Sequence, residues 1–321
     1  MGTNVKVSID CITYNHEPYI ADAIESFLMQ KTDFEFEILI HDDASTDATA
    51  EIIRSYEKKH PELIKPIYQT ENQYSKGATL GRFNEERAKG KYLAVCEGDD
   101  YWTDPYKLQK QIDYMEAHPE CSMCVHAADR VSAVSKKAIS SVRPANESRK
   151  LTVEEIIEGG GGFIATNSIV FVKDKISDYP AFYLNSPIGD YPLVIHAALQ
   201  GTVYYMDDNM SAYRVGVSGS WTQKEFSQID KKIKHMKAMG EMLDGVNRFT
   251  GFAYNQVIQK TKKKEEFYLL LESGRIKEAK TEEYREFYDQ LEFRRKLAFQ
   301  VKSQFPALSQ KLIYAKGRLL Q

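Results

Sequence analysis

The chain has 321 residues, enough for about two domains or for one large domain with an extension. With 42% hydrophobic and 28% charged residues, and only 18 Gly and 10 Pro, it reads as an ordinary globular protein; collagenous, disordered and disulfide-scaffold classes are excluded. Its formal net charge of −3, from 43 Lys and Arg against 46 Asp and Glu, gives no electrostatic basis for nucleic-acid binding.

Met1 to Asp10 has no basic segment followed by an apolar run, so neither a classical secretion signal nor a membrane span is expected, and the expected location is cytoplasmic. Val5 to Ile12 then reads as a buried strand. Tyr19 to Gln30 follows as a helix, because Ile20, Ala23, Ile24, Phe27 and Leu28 recur at helical spacing. Phe36 to Ile40 is the second strand and ends in His41-Asp42-Asp43-Ala44-Ser45. Thr46 to Lys59 is the second helix, Ile64 to Tyr68 the third strand, Leu80 to Ala88 the third helix, and Tyr92 to Cys96 a strand running into Glu97-Gly98-Asp99-Asp100. This alternation is that of βαβ units, so the fold class is α/β with a largely parallel sheet.

A helix from Pro105 to Ala117 and a strand from Cys121 to Ala127 come next. Cys121 and Cys124 form one C-x-x-C with His118 and His126 nearby, but a second pair is lacking; with Cys11 and Cys96 in apolar runs, buried thiols in a reducing compartment are expected rather than zinc. Ser132 to Lys150 is polar and reads as irregular. A short helix at Thr152 to Ile157, four glycines at 159 to 162, a strand from Thr166 to Val172, a helix from Asp190 to Gln200 and a strand from Thr202 to Met206 complete the α/β part. Beyond a boundary near Ser220 to Lys224 only helical patterns occur: Phe226 to Leu243, Phe252 to Lys260, Glu265 to Leu271, Lys280 to Leu291, and a pair broken by Pro306. The near-neutral charge conceals an asymmetry here, since Arg294, Arg295, Lys296, Lys302, Lys311, Lys316 and Arg318 face only Glu292 after position 291.

Two acidic clusters close parallel strands, and ligands of open α/β sheets bind outside such strand ends. Asp99 and Asp100, with Glu97, place hard oxygen ligands on a tight turn, which suits Mn²⁺ or Mg²⁺ together with substrate phosphates. A solvated turn with acids capping the next helix is the plainer alternative, and Ser45 or Thr46 could in the same way cap the second helix.

These segments together resemble glycosyltransferase family 2, the inverting enzymes of the A-type glycosyltransferase fold. The resemblance rests on Ser8 to Asn15, ending in Thr13-Tyr14-Asn15; on Glu37 to Asp47, similar to a strand-Asp-Asp-Gly-Ser-x-Asp signature with Ala44 in place of Gly; and on Gly90 to Trp102, with Glu97 where the Asp-x-Asp motif has its first Asp. Gly189-Asp190-Tyr191-Pro192-Leu193 resembles a Glu-Asp-x-x-Leu helix start, and Tyr213-Arg214 followed by Ser218 resembles the segment closing the catalytic domain. The resemblance implies a nucleotide-sugar donor, a UDP-sugar above others, and a glycan or lipid-linked acceptor of bacterial surface polysaccharide.

It further implies Asp99 as metal ligand, Glu97 near ribose or a metal-bound water, and Asp100 as support of the metal shell. Asp43 would accept hydrogen bonds from the base, and Thr13, Tyr14 and Asn15 would line the nucleoside pocket with Asn72, Gly77 and Arg82 as weaker members. Arg214 would contact the diphosphate, Ser218 would belong to the donor-binding set, and Asp190 would be the catalytic base. Asp190 as a plain N-cap, and Arg214 in an ordinary salt bridge, are the structural alternatives. Tyr101 and Trp102 stand either as a sugar platform or as core, and the four glycines either as an acceptor-side loop or as a chain reversal. The expected domains are a catalytic one over 1–222, divided near 102 into nucleotide-sugar and acceptor halves, and a helical region over 223–321.

Leu308, Leu312, Ala315 and Leu319, flanked by Lys311, Lys316 and Arg318, form a basic amphipathic pattern that suits the inner face of a membrane or a protein contact, a second copy included. The spanning helices and the Gln-x-x-Arg-Trp motif of the family's membrane synthases are missing, so processive polymerisation is not expected. A sugar nucleotidyltransferase would need a Gly-rich N-terminal loop that Thr13-Tyr14-Asn15-His16 does not supply. A non-catalytic sugar-nucleotide or glycan-binding module is the remaining alternative.

Overall fold

The computed structural model describes residues 5–217, 220 and 228–304. The chain divides into two compact units, Met1–Val217 and Ser218–Gln321. In the first, strands β1 (Val5–Thr13), β2 (Glu35–Asp42), β3 (Ile64–Tyr68) and β4 (Tyr92–Val95) pair in parallel in the order β3-β2-β1-β4. Helices α1 (Ile20–Leu28), α2 (Thr49–Lys59), α3 (Gly81–Glu85) and α4 (Lys107–Ala117) connect or follow them. Val7, Ile9 and Cys11 alternate onto one face of β1, where they pack with Ile38 and Ile40 of β2 and with Ile20, Ile24, Phe27, Leu108 and Ile112 of α1 and α4.

The sheet continues through an antiparallel strand into a second half. Short β5 (Tyr101–Trp102), β6 (Cys121–Ser132), β7 (Ala138–Val142), β8 (Arg149–Leu151), β9 (Val170–Val172) and β10 (Thr202–Val215) complete it, with β9 antiparallel to both β4 and β6, and β10 parallel to β6. The stretch from Ser132 to Lys150 is therefore not irregular. It holds β7, which pairs with β6 while exposing four of its five residues, and β8, which pairs with β10; such a solvated ribbon leaves no apolar alternation to read. Both β6 and β10 run well past their apolar cores because they hydrogen-bond to each other as far as Ser132 and Val215. Thr166 to Val172 is not one strand, since Thr166–Ser168 is a 3-10 turn before β9.

Helix α2 begins at Thr49 rather than Thr46. Neither Ser45 nor Thr46 caps it; Asp47 accepts from the Thr49 amide at 3.0 Å and Glu17 from the Ala48 amide at 3.2 Å, while Ser45 turns back to Asp42. Helix α5 (Val153–Gly159) carries a full capping box between Thr152 and Glu155. Short helices α6 (Lys173–Ile176) and α7 (Ala181–Leu184) precede α8 (Asp190–Gln200). Cys121 and Cys124 lie buried in β6, His126 is buried beside them, and His118 stacks on Tyr114 instead of turning to the thiols.

The second unit is helical, with Ile229–Phe249, Asn255–Glu272, Ile276–Ala279, Arg285–Gln290 and Phe293–Gln304. The two helices expected over 252–271 are one, because the lysine run 262–264 is neutralised: Lys262 reaches Asp244 at 2.7 Å and Lys263 reaches Glu283 at 3.5 Å. Phe267, Leu270, Leu271, Ile276, Tyr284 and Phe287 form its core. The basic amphipathic pattern from Leu308 onward lies outside the described residues, as does Ser218. Among the described residues no helix is long and apolar enough to cross a membrane.

Candidate active site

Because β2, β1 and β4 are parallel neighbours, their carboxyl ends at Asp42, Thr13 and Val95 lie on one edge, and the two acidic loops open there together. The end of β1 stitches them in place. The Asp43 amide donates to the Thr13 carbonyl at 3.0 Å, and the Gly98 amide to the Ile12 carbonyl at 2.9 Å. Gly98 has no alternative here, since a Cβ would stand 2.7 Å from Thr13 Oγ1.

On the β2 side, the buried Asp43 carboxylate accepts from the amides of Gln73 at 2.7 Å and Tyr74 at 3.1 Å, and Asn72 Nδ2 donates to the Asp43 carbonyl at 3.1 Å. Gly77, at φ 84, ends the 3-10 turn of that loop. Ala44 sits at φ 61, the left-handed region where glycine is at ease, and Asn15 at φ 55 accepts from the Thr46 amide at 2.7 Å. Thr13 is buried and Tyr14 is open at the rim. Thr13, Tyr14, Asn15, Asp43, Asn72 and Gly77 thus belong to one loop cluster. Arg82, on α3, pairs with Glu86 at 3.4 Å and lies over the Tyr179 ring.

At the end of β4 the acids take different roles. Asp100 is buried; its Oδ1 accepts from the Arg214 amide at 2.7 Å and its Oδ2 from Asn167 Nδ2 at 3.1 Å, so both oxygens are already engaged within the protein. Burial, then the charge of Asp99, pushes its carboxyl well above the usual range. Asp99 is half-buried, with His16 Nε2 3.8 Å from its Oδ2. Loss of surrounding water and then the like charges of Asp99, Asp190 and Asp10 push Glu97 up to about 8. Among the described residues no three His, Cys, Asp or Glu side chains come together to hold a metal ion by themselves; Glu97 and Asp99 offer the one or two carboxylates that a divalent cation takes beside phosphates and water.

Trp102 is core and not a sugar platform. It is 1% exposed, donates from Nε1 to the Asn167 carbonyl at 2.9 Å, meets Phe27 edge-on, and carries Lys107 Nζ over its ring. Tyr101 faces the Arg214 guanidinium, with its centroid 4.5 Å away.

Asp190 is the first residue of α8. Its Oδ1 accepts from the Tyr191 amide at 2.7 Å and its Oδ2 from Thr166 Oγ1 at 3.2 Å, a hold that orients the carboxylate at the helix N-terminus. Beside it lies a small apolar pocket lined by Ile156, Phe163, Ile164, Ile169 and Val194, with Gly160 and Gly161 at its wall. Two of the four glycines, Gly160 and Gly161, therefore line the same pocket as Asp190. Sequence reasoning passed over Asp10, His16, Asp22 and Asn167. An acid inside the apolar run of β1 was a usable signal for Asp10, whose carboxylate accepts from Asn84 Nδ2 at 2.7 Å; nothing local distinguishes the other three.

The model of a family described as Glycosyl transferase family 2 matches residues 8–173. An uncharacterized protein of Mycobacterium tuberculosis is 38% identical over 218 residues, 67% of this chain and 60% of its own, so the chain spans about 60% of that relative's length. The UDP-Glc:alpha-D-GlcNAc-diphosphoundecaprenol beta-1,3-glucosyltransferase WfaP of Escherichia coli is 40% identical over 111 residues, 34% of this chain and 41% of its own. Among solved structures, S. aureus TarS 1-349 in complex with UDP-GlcNAc superposes with a TM-score of 0.59 at 16% identity, over 93% of this chain and 79% of that one. The fold is the A-type glycosyltransferase fold, a mixed α/β sheet with flanking helices.

Proposed function

The chain belongs to glycosyltransferase family 2, and on that premise we propose that it is an inverting, metal-dependent glycosyltransferase that moves a sugar from a UDP-sugar donor to a glycan or lipid-linked acceptor of bacterial surface polysaccharide. The observation that supports this reading is the meeting of two acidic loops at the carboxyl ends of the neighbouring parallel strands β2, β1 and β4, where the charges of Asp99 and Asp190 both act on Glu97. The names of relatives support the donor and acceptor classes: WfaP takes UDP-Glc and a diphosphoundecaprenol-linked sugar, and TarS binds UDP-GlcNAc.

Inversion needs one carboxylate on the acceptor side. Asp190, oriented by Thr166 and by its own helix end, accepts the proton of the attacking hydroxyl as the anomeric C–O bond to the diphosphate breaks. Asp43, already fixed by two loop amides, has lone pairs left to accept from the base, and Thr13, Tyr14 and Asn15 flank it. Mn²⁺ or Mg²⁺ would be held by Asp99 with Glu97 beside it, and when bound it supplies Lewis-acid stabilisation of the leaving diphosphate. In this reading residues 1–102 form the nucleotide-sugar half and 103–222 the acceptor half, and the reaction runs on the cytoplasmic side.

Anomeric configuration tests the reading without a known acceptor. Hydrolysis of a UDP-α-sugar in Mn²⁺, followed by NMR, should release the β-anomer first, and Asp190→Asn should abolish cleavage with donor affinity nearly intact. Retained cleavage in Asp190→Asn would remove Asp190 as base, and initial release of the α-anomer would remove inversion.

A further inference from the structure

Arg214, the last residue but one of β10, has a side chain with no exposed surface. Its backbone amide donates to Asp100 Oδ1 at 2.7 Å, its Nη1 donates to the Asp99 carbonyl at 2.6 Å, and its Nη2 donates to Asp22 of α1. The guanidinium is clamped between the rings of Tyr19, 5.1 Å away, and Tyr101, 4.5 Å away. Lys136, from the turn between β6 and β7, closes the outer side of Asp22 at 2.7 Å. Arg214 thus ties the Asp99-Asp100 turn to α1 through Asp22, and Lys136 secures Asp22 in turn.

We propose that Arg214 and Asp22 are a positioning pair: they hold the Asp99-Asp100 turn so that the Asp99 carboxylate faces the crevice, and Arg214 is not a ligand of the substrate diphosphate. The inference rests on the assignment of Asp99 to the metal–donor site above. Both terminal nitrogens of the fork are engaged by groups that accept strongly, one of them a carboxylate, two aromatic rings lie within about 5 Å of the cation, and only the buried Nε is left without a partner among the described residues. To reach a phosphate, Arg214 would have to leave Asp22 without its buried counter-ion partner and release the Asp99 carbonyl it orients. Acting from outside the ligands, such a pair sets metal affinity in the way that outer hydrogen bonds do at other metal sites.

Calorimetric titration of UDP with and without Mn²⁺ separates the roles. Arg214→Lys and Asp22→Asn should each weaken the Mn²⁺-dependent part of UDP binding by about ten-fold or more, the double variant should be little worse than either single one, and metal-free UDP affinity should stay at the wild-type value. Loss of metal-free affinity in Arg214→Lys but not in Asp22→Asn would make Arg214 a phosphate ligand and overturn the proposal. Butanedione modification of the wild-type chain, read by mass spectrometry on the Arg214 peptide, needs no variant to fold. Slow modification that metal-free UDP leaves unchanged supports the buried pair, and rapid modification that UDP blocks contradicts it. Failure of the wild type to bind UDP even with Mn²⁺ would instead count against the donor assignment, because the modification of the unliganded chain reports on the pair alone.

Discussion

Asp10 is a carboxylate in the middle of a buried strand, and its removal should stabilise the protein in a pH-dependent way. Burial, opposed by the Asn84 hydrogen bond and with smaller opposing contributions from Glu85 and Arg87, lifts its pKa from 3.8 to about 7. The unfolded chain therefore releases this proton near pH 4, while the folded chain keeps it until about pH 7. Between those values the folded state binds more protons, so stability falls as pH rises through the window. At about 1.4 kcal/mol per pH unit, the full cost of ionising Asp10 in place is about 4 kcal/mol. Asp10→Asn keeps an acceptor for Asn84 and cannot ionise. Urea unfolding of both proteins, followed by tryptophan fluorescence, should show a stability gap in favour of Asn that widens by about 2 to 3 kcal/mol between about pH 5 and about pH 8. A gap that does not change with pH, or one that narrows as pH rises, would refute the reasoning.

Three further outcomes are expected. Ala44→Gly relieves a left-handed backbone at φ 61 and should stabilise the fold by about 1 kcal/mol in chemical denaturation, the gain being reduced by glycine's greater unfolded freedom. Thr152→Ala removes one arm of the capping box on α5 and should cost about 1 kcal/mol by the same measurement. Gly98→Ala drives a Cβ to 2.7 Å from Thr13 Oγ1 and 2.8 Å from Thr13 Cβ; it should lower thermal stability by the equivalent of about 1 to 3 kcal/mol and reduce donor cleavage.

The parallel half of the sheet was legible because each buried strand is a run of aliphatic residues closed by acids, and the helices between them carry apolar stripes. Elements stabilised from outside their own sequence were not. Tyr101–Trp102 is a strand only because Ser211 and Ala212 of β10 pair with it, and β7 is drawn out by β6 with hardly a buried side chain of its own. The same divide runs through the site. Asp43, Asp99 and Asp190 stand at strand or helix ends, where local pattern and family resemblance both point. Asp22 is one polar residue on the solvent-facing side of an amphipathic helix, and its meeting with Arg214, 192 positions later, exists only in the folded chain. For Trp102 the neighbourhood of an acidic loop suggested a sugar contact, but the period of β5 turns its ring inward onto Phe27.

The most direct test of the central claim is calorimetry of UDP-, GDP- and TDP-sugars on the wild-type chain and on Asp99→Asn, each with and without Mn²⁺. The account predicts that a UDP-sugar binds, that Mn²⁺ strengthens the binding, and that Asp99→Asn removes the Mn²⁺-dependent gain. Binding by the wild type that ignores the metal, together with no cleavage of the donor, would contradict it and favour a non-catalytic sugar-nucleotide-binding module.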